Sequence, residues 1–152
     1  MGDFFGSIYC WLEDFFGLEL ADYLWGLSSP EQSTNMYIGI GLSMFGISAF
    51  MMVLYYYIID HPKLGNWWGW LIFCAVNAAI NFIVAWQWVL KDYYDGMMVK
   101  KSATTGQEED LLISSSDIVA FGITNMIDAI VVYIILSYLF RWWSDDCRHA
   151  PL

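Results

Sequence analysis

Asp128 is the residue of this chain with the most chemical potential. It stands near the centre of the run Ile118 to Phe140, IVAFGITNMIDAIVVYIILSYLF, and is the one formally charged residue inside any of three long apolar runs. An acid at the centre of a membrane helix costs roughly 2.5–3.5 kcal/mol on insertion scales. Such a carboxyl must carry a proton, accept hydrogen bonds from neutral donors, or face water or a cation. No Lys or Arg lies near its depth. Thr124 and Asn125, at i−4 and i−3, share its helical face.

The other two runs carry matching groups. In Trp67 to Leu90, WWGWLIFCAVNAAINFIVAWQWVL, Asn77 and Asn81 are spaced i, i+4 about the midpoint. In Met36 to Ile59, MYIGIGLSMFGISAFMMVLYYYII, the midpoint falls near Ile47 and Ser48. The polar set Ser48, Asn77, Asn81, Thr124, Asn125 and Asp128 is thus expected at one depth. Unpaired amides and hydroxyls are costly in hydrocarbon, so these groups must face inward, with Asn77, Asn81 and Asn125 available as amide donors to Asp128. Two roles fit. The layer is interhelical glue, at about 0.6–2 kcal/mol per contact, or it lines a route for a cation or proton.

Little else has a catalytic pattern. His61 and His149 have no Cys or His partner at metal-binding spacing. The three cysteines, Cys10, Cys74 and Cys147, form no CxxC pair and no closed disulfide framework. No nucleophile elbow, P-loop, HExxH or dinucleotide fingerprint is present. The expectation is no catalytic residue, no metal and no cofactor.

The elements that must hold the polar layer are helices. Each run exceeds the ~20 residues that cross a ~30 Å hydrocarbon core, and the runs are too long and uniformly apolar for barrel strands. Aromatic residues at their ends read as interface anchors: Tyr55, Tyr56 and Tyr57, then Trp67, Trp68 and Trp70, then Trp86 and Trp88, then Trp142 and Trp143. Ser114 to Asp117 offers an N-cap for the third span. The short link from Asp60 to Asn66 predicts an antiparallel hairpin of the first two spans. Gly39, Ser43 and Gly46 make a small-residue stripe on the first, a device for close helix packing within or between subunits.

The first 35 residues differ. Asp3, Ser7, Cys10 and Asp14 recur on one helical face from about residue 3 to 16, and Phe4, Phe5, Ile8, Trp11, Leu12, Phe15 and Phe16 cover the rest. Gly17 reads as a hinge before a second short helix, Leu18 to Leu27. Glu13, Asp14, Glu19 and Asp22 oppose a full span. Interfacial helices usually present Lys and Arg to water, and this segment has none, so its apolar face is expected to dock partly onto protein.

The fold class is therefore an all-α integral membrane protein with three transmembrane helices after an N-terminal amphipathic segment. It is read as a single membrane domain over 1–152: segment 1–35, spans 36–59, 67–90 and 118–140, a solvent-facing polar loop 91–117 with little structure of its own, and a C-terminal tail 141–152. Composition agrees, with 59% hydrophobic and 14% charged residues, against about 45–50% and about 25% in soluble domains. A net charge of −10 opposes nucleic-acid binding. Three basic residues on each side of the spans leave sidedness undirected. The expected partners are the bilayer and either further copies of the chain or other membrane subunits, in the cell (inner or plasma) membrane. The lone Asp128 favours a homo-oligomeric channel or transport subunit. The alternative is a non-conducting structural or accessory subunit of a larger complex, such as a secretion, envelope or defence assembly.

Overall fold

The computed structural model describes residues 2–27, 35–58, 67–101, 108–110 and 113–141. The expectations for Trp142, Trp143, His61, His149, Cys147, the link 60–66 and the tail beyond 141 lie outside these residues.

Three helices are long and apolar enough to cross a membrane. They are α4 (Met36–Val53), α5 (Trp67–Tyr94) and α6 (Ser115–Arg141). Three short ones precede them: α1 (Gly2–Cys10), α2 (Glu13–Phe16) and α3 (Leu18–Trp25). The chain is an all-α, multi-pass membrane protein in which an N-terminal helical segment leads into a three-helix bundle.

The helix ends follow local chemistry. Asn35 caps α4, its side chain accepting from the Tyr37 amide at 3.0 Å. Ser114 caps α6 reciprocally: its hydroxyl accepts from the Ser116 amide at 3.3 Å, and Asp117 Oδ2 accepts from the Ser114 amide at 2.9 Å. At the other end of α4 the chain continues as a π-helical turn, Leu54–Ile58. Gly17, with φ 93°, breaks α2 from α3 at the expected hinge.

Two expectations change. The amphipathic helix over residues 3 to 16 is interrupted at Trp11 and Leu12. The loop 91–117 is more structured than expected: α5 runs on to Tyr94, and β1 (Val99–Lys101) pairs antiparallel with β2 (Glu108–Asp110), Lys100 opposite Glu109.

The bundle register can be read from side-chain contacts. α5 runs antiparallel to α6, with Asn81 bonded to Asn125, Asn77 to Ala129 and Trp70 to Ser137. It also runs antiparallel to α4: Gly39 faces Trp88, and Tyr55 packs on Phe73. The first two spans therefore form the expected hairpin. Burial divides the interior into three levels. At the end where α1–α3 dock, Phe5, Tyr9, Phe16, Leu20, Leu24, Tyr37, Ile118 and Phe121 form one cluster. At the hairpin end Met51, Met52, Tyr55, Tyr56, Trp70, Cys74 and Tyr133 form another. Met44, Ala129 and Val132 lie between, beside the polar layer.

Candidate functional site: a buried polar layer closed by the N-terminal segment

All six predicted polar residues are buried. Ser48, Asn77, Asn81, Thr124 and Asn125 are almost wholly inaccessible, and Asp128 is 3% exposed. Spacings of three and four residues set the polar groups of α5 and α6 on the faces where these helices meet, and two asparagines bond across them. Asn125 Nδ2 donates to the Asn81 carbonyl at 2.9 Å, and Asn77 Nδ2 to the Ala129 carbonyl at 3.3 Å. Asn81 Nδ2 turns back within α5 to the Asn77 carbonyl and Oδ1 at 2.9 and 3.1 Å. Thr124 satisfies its hydroxyl within α6 on the Ala120 carbonyl at 3.1 Å. The asparagines thus staple α5 to α6 through backbone carbonyls rather than through Asp128.

The partner of Asp128 is a residue that span analysis does not reach. Trp11 Nε1 donates to Asp128 Oδ1 at 3.3 Å, a bond that needs no counter-charge. Beside it the Tyr9 hydroxyl donates to Asn125 Oδ1 at 2.6 Å. Burial holds the Tyr9 phenol well above the ordinary tyrosine range, so it remains a donor. Tyr9 is fixed from both sides: its ring stacks on Tyr37 at 5.0 Å between centroids and lies 5.6 Å from Phe121. The docking of α1 onto α4 depends on Gly41, where a Cβ would run into the Phe5 ring. These contacts close the polar layer on the side of Asp128 and Asn125.

Among the described residues, four buried oxygens lack a hydrogen-bond partner: Ser48 Oγ, Asn81 Oδ1, Asp128 Oδ2 and Tyr133 OH. They spread over all three spans. Unsatisfied buried polar atoms are uncommon in folded proteins, and here they cluster on and just beyond the layer.

The interface anchors divide. Tyr57, Trp67, Trp68 and Trp88 are exposed, as an anchoring role requires, and Trp86 is partly buried. Tyr55, Tyr56 and Trp70 instead turn inward. Tyr56 OH lies 2.9 Å from Ser137 Oγ, and Trp70 Nε1 donates to the same oxygen at 3.0 Å. The polar atoms of Tyr56 and Trp70 reach a buried serine rather than the rim, because the π turn and the start of α5 close over Ser137. The packing stripe divides too. Gly39 sits 3.3 Å (from a built Cβ) from Trp88, Ser43 bonds the Ile40 carbonyl at 2.7 Å, and Gly46 faces open space. Only the Gly39 end is used against α5.

At the outer edge of the N-terminal segment a cleft of about 420 Å³ is lined by Asp14, Gly17, Leu18, Glu19, Leu20 and Asp117. Its three carboxylates do not converge: among the described residues no set of three His, Cys, Asp or Glu side chains is placed to hold a metal.

Sequence reasoning missed Tyr9, Trp11, Gly41 and Ser137 as site residues. For Trp11 a signal existed, since the segment's lack of Lys and Arg already pointed to docking on protein. Tyr9 carried none, because a tyrosine in an amphipathic stretch reads as an interface residue.

Compared with models of protein families, with curated proteins and with solved structures, the chain matches none. The fold and the site define it as a small multi-pass membrane protein with a sealed polar interior.

Proposed function

We propose that this protein is a non-conducting structural or accessory subunit of a membrane assembly, its polar layer acting as glue that fixes helix register. One observation carries this reading: the mid-span polar side chains turn into a single chain and are closed there by Tyr9 and Trp11. A pore shared between copies needs those groups on an outer face, where copies meet. Buried asparagines that bond backbone carbonyls across helices do what register-setting residues do in membrane bundles. The role is one of support rather than catalysis. The test pairs flux with stability. Liposomes holding the protein should pass no more sodium, potassium or proton flux than empty ones. Asp128→Ala, which unhooks Trp11, should lower detergent stability by about 1–3 kcal/mol. Flux in the native protein that Asp128→Asn alters, with assembly intact, would sink the proposal.

The second reading is a homo-oligomeric channel or transport subunit. It is favoured by the four unpartnered oxygens, which could serve a passing cation or a file of water. The same flux measurement decides between the two.

A further inference from the structure

The N-terminal segment does not fit the usual picture of a helix lying on a membrane surface. Its hydrogen bonds fix its depth. Asp128 lies ten residues into the bilayer from Ile118, where the third apolar run begins, or about 15 Å at a rise of about 1.5 Å per residue. That is half of a ~30 Å hydrocarbon core. Asn125 lies about 10 Å in by the same measure. The Trp11 indole and the Tyr9 hydroxyl are bonded to these two residues. Phe16 packs edge-on to Phe121, one turn below Ile118, at 5.3 Å. Asp14, by contrast, lines the cleft with Asp117 at the very start of α6. Phe5 is equally deep, packed against Gly41 and the Phe45 ring, five and nine residues into α4, so α1 lies within the hydrocarbon from Phe5 onward, and Asp14 and Phe16 bring the chain back toward the start of α6.

We propose that residues 2–25 form a half-membrane wedge in the leaflet at α6's N-terminus, with α1 already inside the hydrocarbon at Phe5, a break at Trp11–Leu12, and a free face resting on lipid acyl chains. That face comprises Phe4, Trp11 and Phe15, all more than half exposed, with Trp11 at 63% although its indole nitrogen is bonded at mid-depth. An indole that reaches Asp128 with most of its ring uncovered has hydrocarbon beside it. The absence of Lys and Arg from the segment fits too, since a wedge has no broad wet face for basic residues to occupy. This goes beyond the structural role proposed above and does not depend on it.

The test measures depth on the full chain. In a background with Cys10→Ser, Cys74→Ala and Cys147→Ser, nitroxide labels are placed at Phe4→Cys and Phe15→Cys, with Asp14→Cys and Glu19→Cys as shallow references. Phe50→Cys, an exposed site well inside α4, gives the lipid reference. In phosphatidylcholine vesicles, labels at 4 and 15 should be relaxed by oxygen over a nickel chelate, as at 50, and those at 14 and 19 the reverse. Labels at 4 and 15 that behave like 14 would place the segment on the surface and overturn the wedge. Labels shielded from both reagents would show a protein, such as a second copy, on that face and overturn it equally. Should the labelled variants fail to fold, a photo-crosslinking residue at Phe15 in the otherwise native chain decides. A lipid adduct is expected, and its absence or a protein–protein adduct ends the proposal.

Discussion

Replacing Tyr9 by Phe removes one oxygen and should cost more than one hydrogen bond. The hydroxyl is fully buried and donates at 2.6 Å to Asn125 Oδ1. The substitution keeps the ring, its stack on Tyr37 and its contact with Phe121, so the loss is confined to the polar pair. A typical hydrogen bond adds about 0.5–1.5 kcal/mol net, but a buried acceptor left without a donor costs about 1–3 kcal/mol. Asn125 Oδ1 is such an acceptor, because the amide of the same side chain is held on the Asn81 carbonyl and cannot rotate without losing that bond. Measured polar contacts in membrane bundles average about 0.6 and reach about 1.7 kcal/mol. The expectation for Tyr9→Phe is therefore about 1–2 kcal/mol of destabilisation. For a chain of this size that corresponds to a fall of about 2–8 °C in melting temperature. Thermal unfolding in detergent, followed by circular dichroism, reads this directly, and a double-mutant cycle with Asn125→Ala isolates the pair. The coupling should be about 1 kcal/mol, and limited proteolysis should cut the N-terminal segment faster in either single variant. A coupling of zero with unchanged proteolysis would refute the claim that this segment is tied to the polar layer.

Two further substitutions test the packing around that tie. Gly41→Leu places its Cβ where the Phe5 ring sits, so α1 must lift from α4 at about 1–3 kcal/mol of overpacking; Phe5→Ala should recover part of the loss, and a melting curve of Gly41→Leu that matches the native one would count against the docking. Ser137→Ala strands the Trp70 indole donor and removes the serine oxygen beside the Tyr56 hydroxyl, so about 1–3 kcal/mol should be lost at the hairpin end, while protease sensitivity of the N-terminal segment stays as in the native protein.

The three spans, the α6 cap, the Gly17 break and the burial of all six polar residues could be read from the sequence, because each rests on a local rule. Run length sets a span, a serine followed by Asp117 sets a cap, and a polar atom in hydrocarbon must turn inward. Which way the aromatic ends of the spans turn was not legible. Away from the polar layer α4 and α6 are apolar on nearly every side, so no periodicity distinguishes an inward face there, and Tyr56 and Trp70 look the same in sequence whether they meet the headgroups or Ser137. Rim-seeking and core-seeking aromatics differ only in the partner their polar atom finds. The β1–β2 ribbon was hidden for another reason: three charged residues such as Glu108–Asp110 have no strand propensity, and only the opposing strand gives them one.

The same physics explains why the N-terminal segment and Asp128 belong together. A lone carboxyl at mid-depth would be an uncompensated cost in this three-helix bundle, since the asparagine amides are spent on backbone carbonyls and none donates to Asp128. The chain answers with a fourth, partial element rather than with a basic residue. A lysine or arginine there would bring its own desolvation cost of several kcal/mol; an indole brings one neutral donor on a large apolar ring. Trp11 can therefore satisfy Asp128 Oδ1 and still face hydrocarbon, which no cationic side chain does cheaply. The acids that follow at Glu13 and Asp14 then make sense as the outward return of the same turn, drawing the chain back to water once the indole is seated. Replacing Trp11 by leucine keeps the apolar cover but removes the indole donor, leaving both oxygens of a buried carboxyl without a partner.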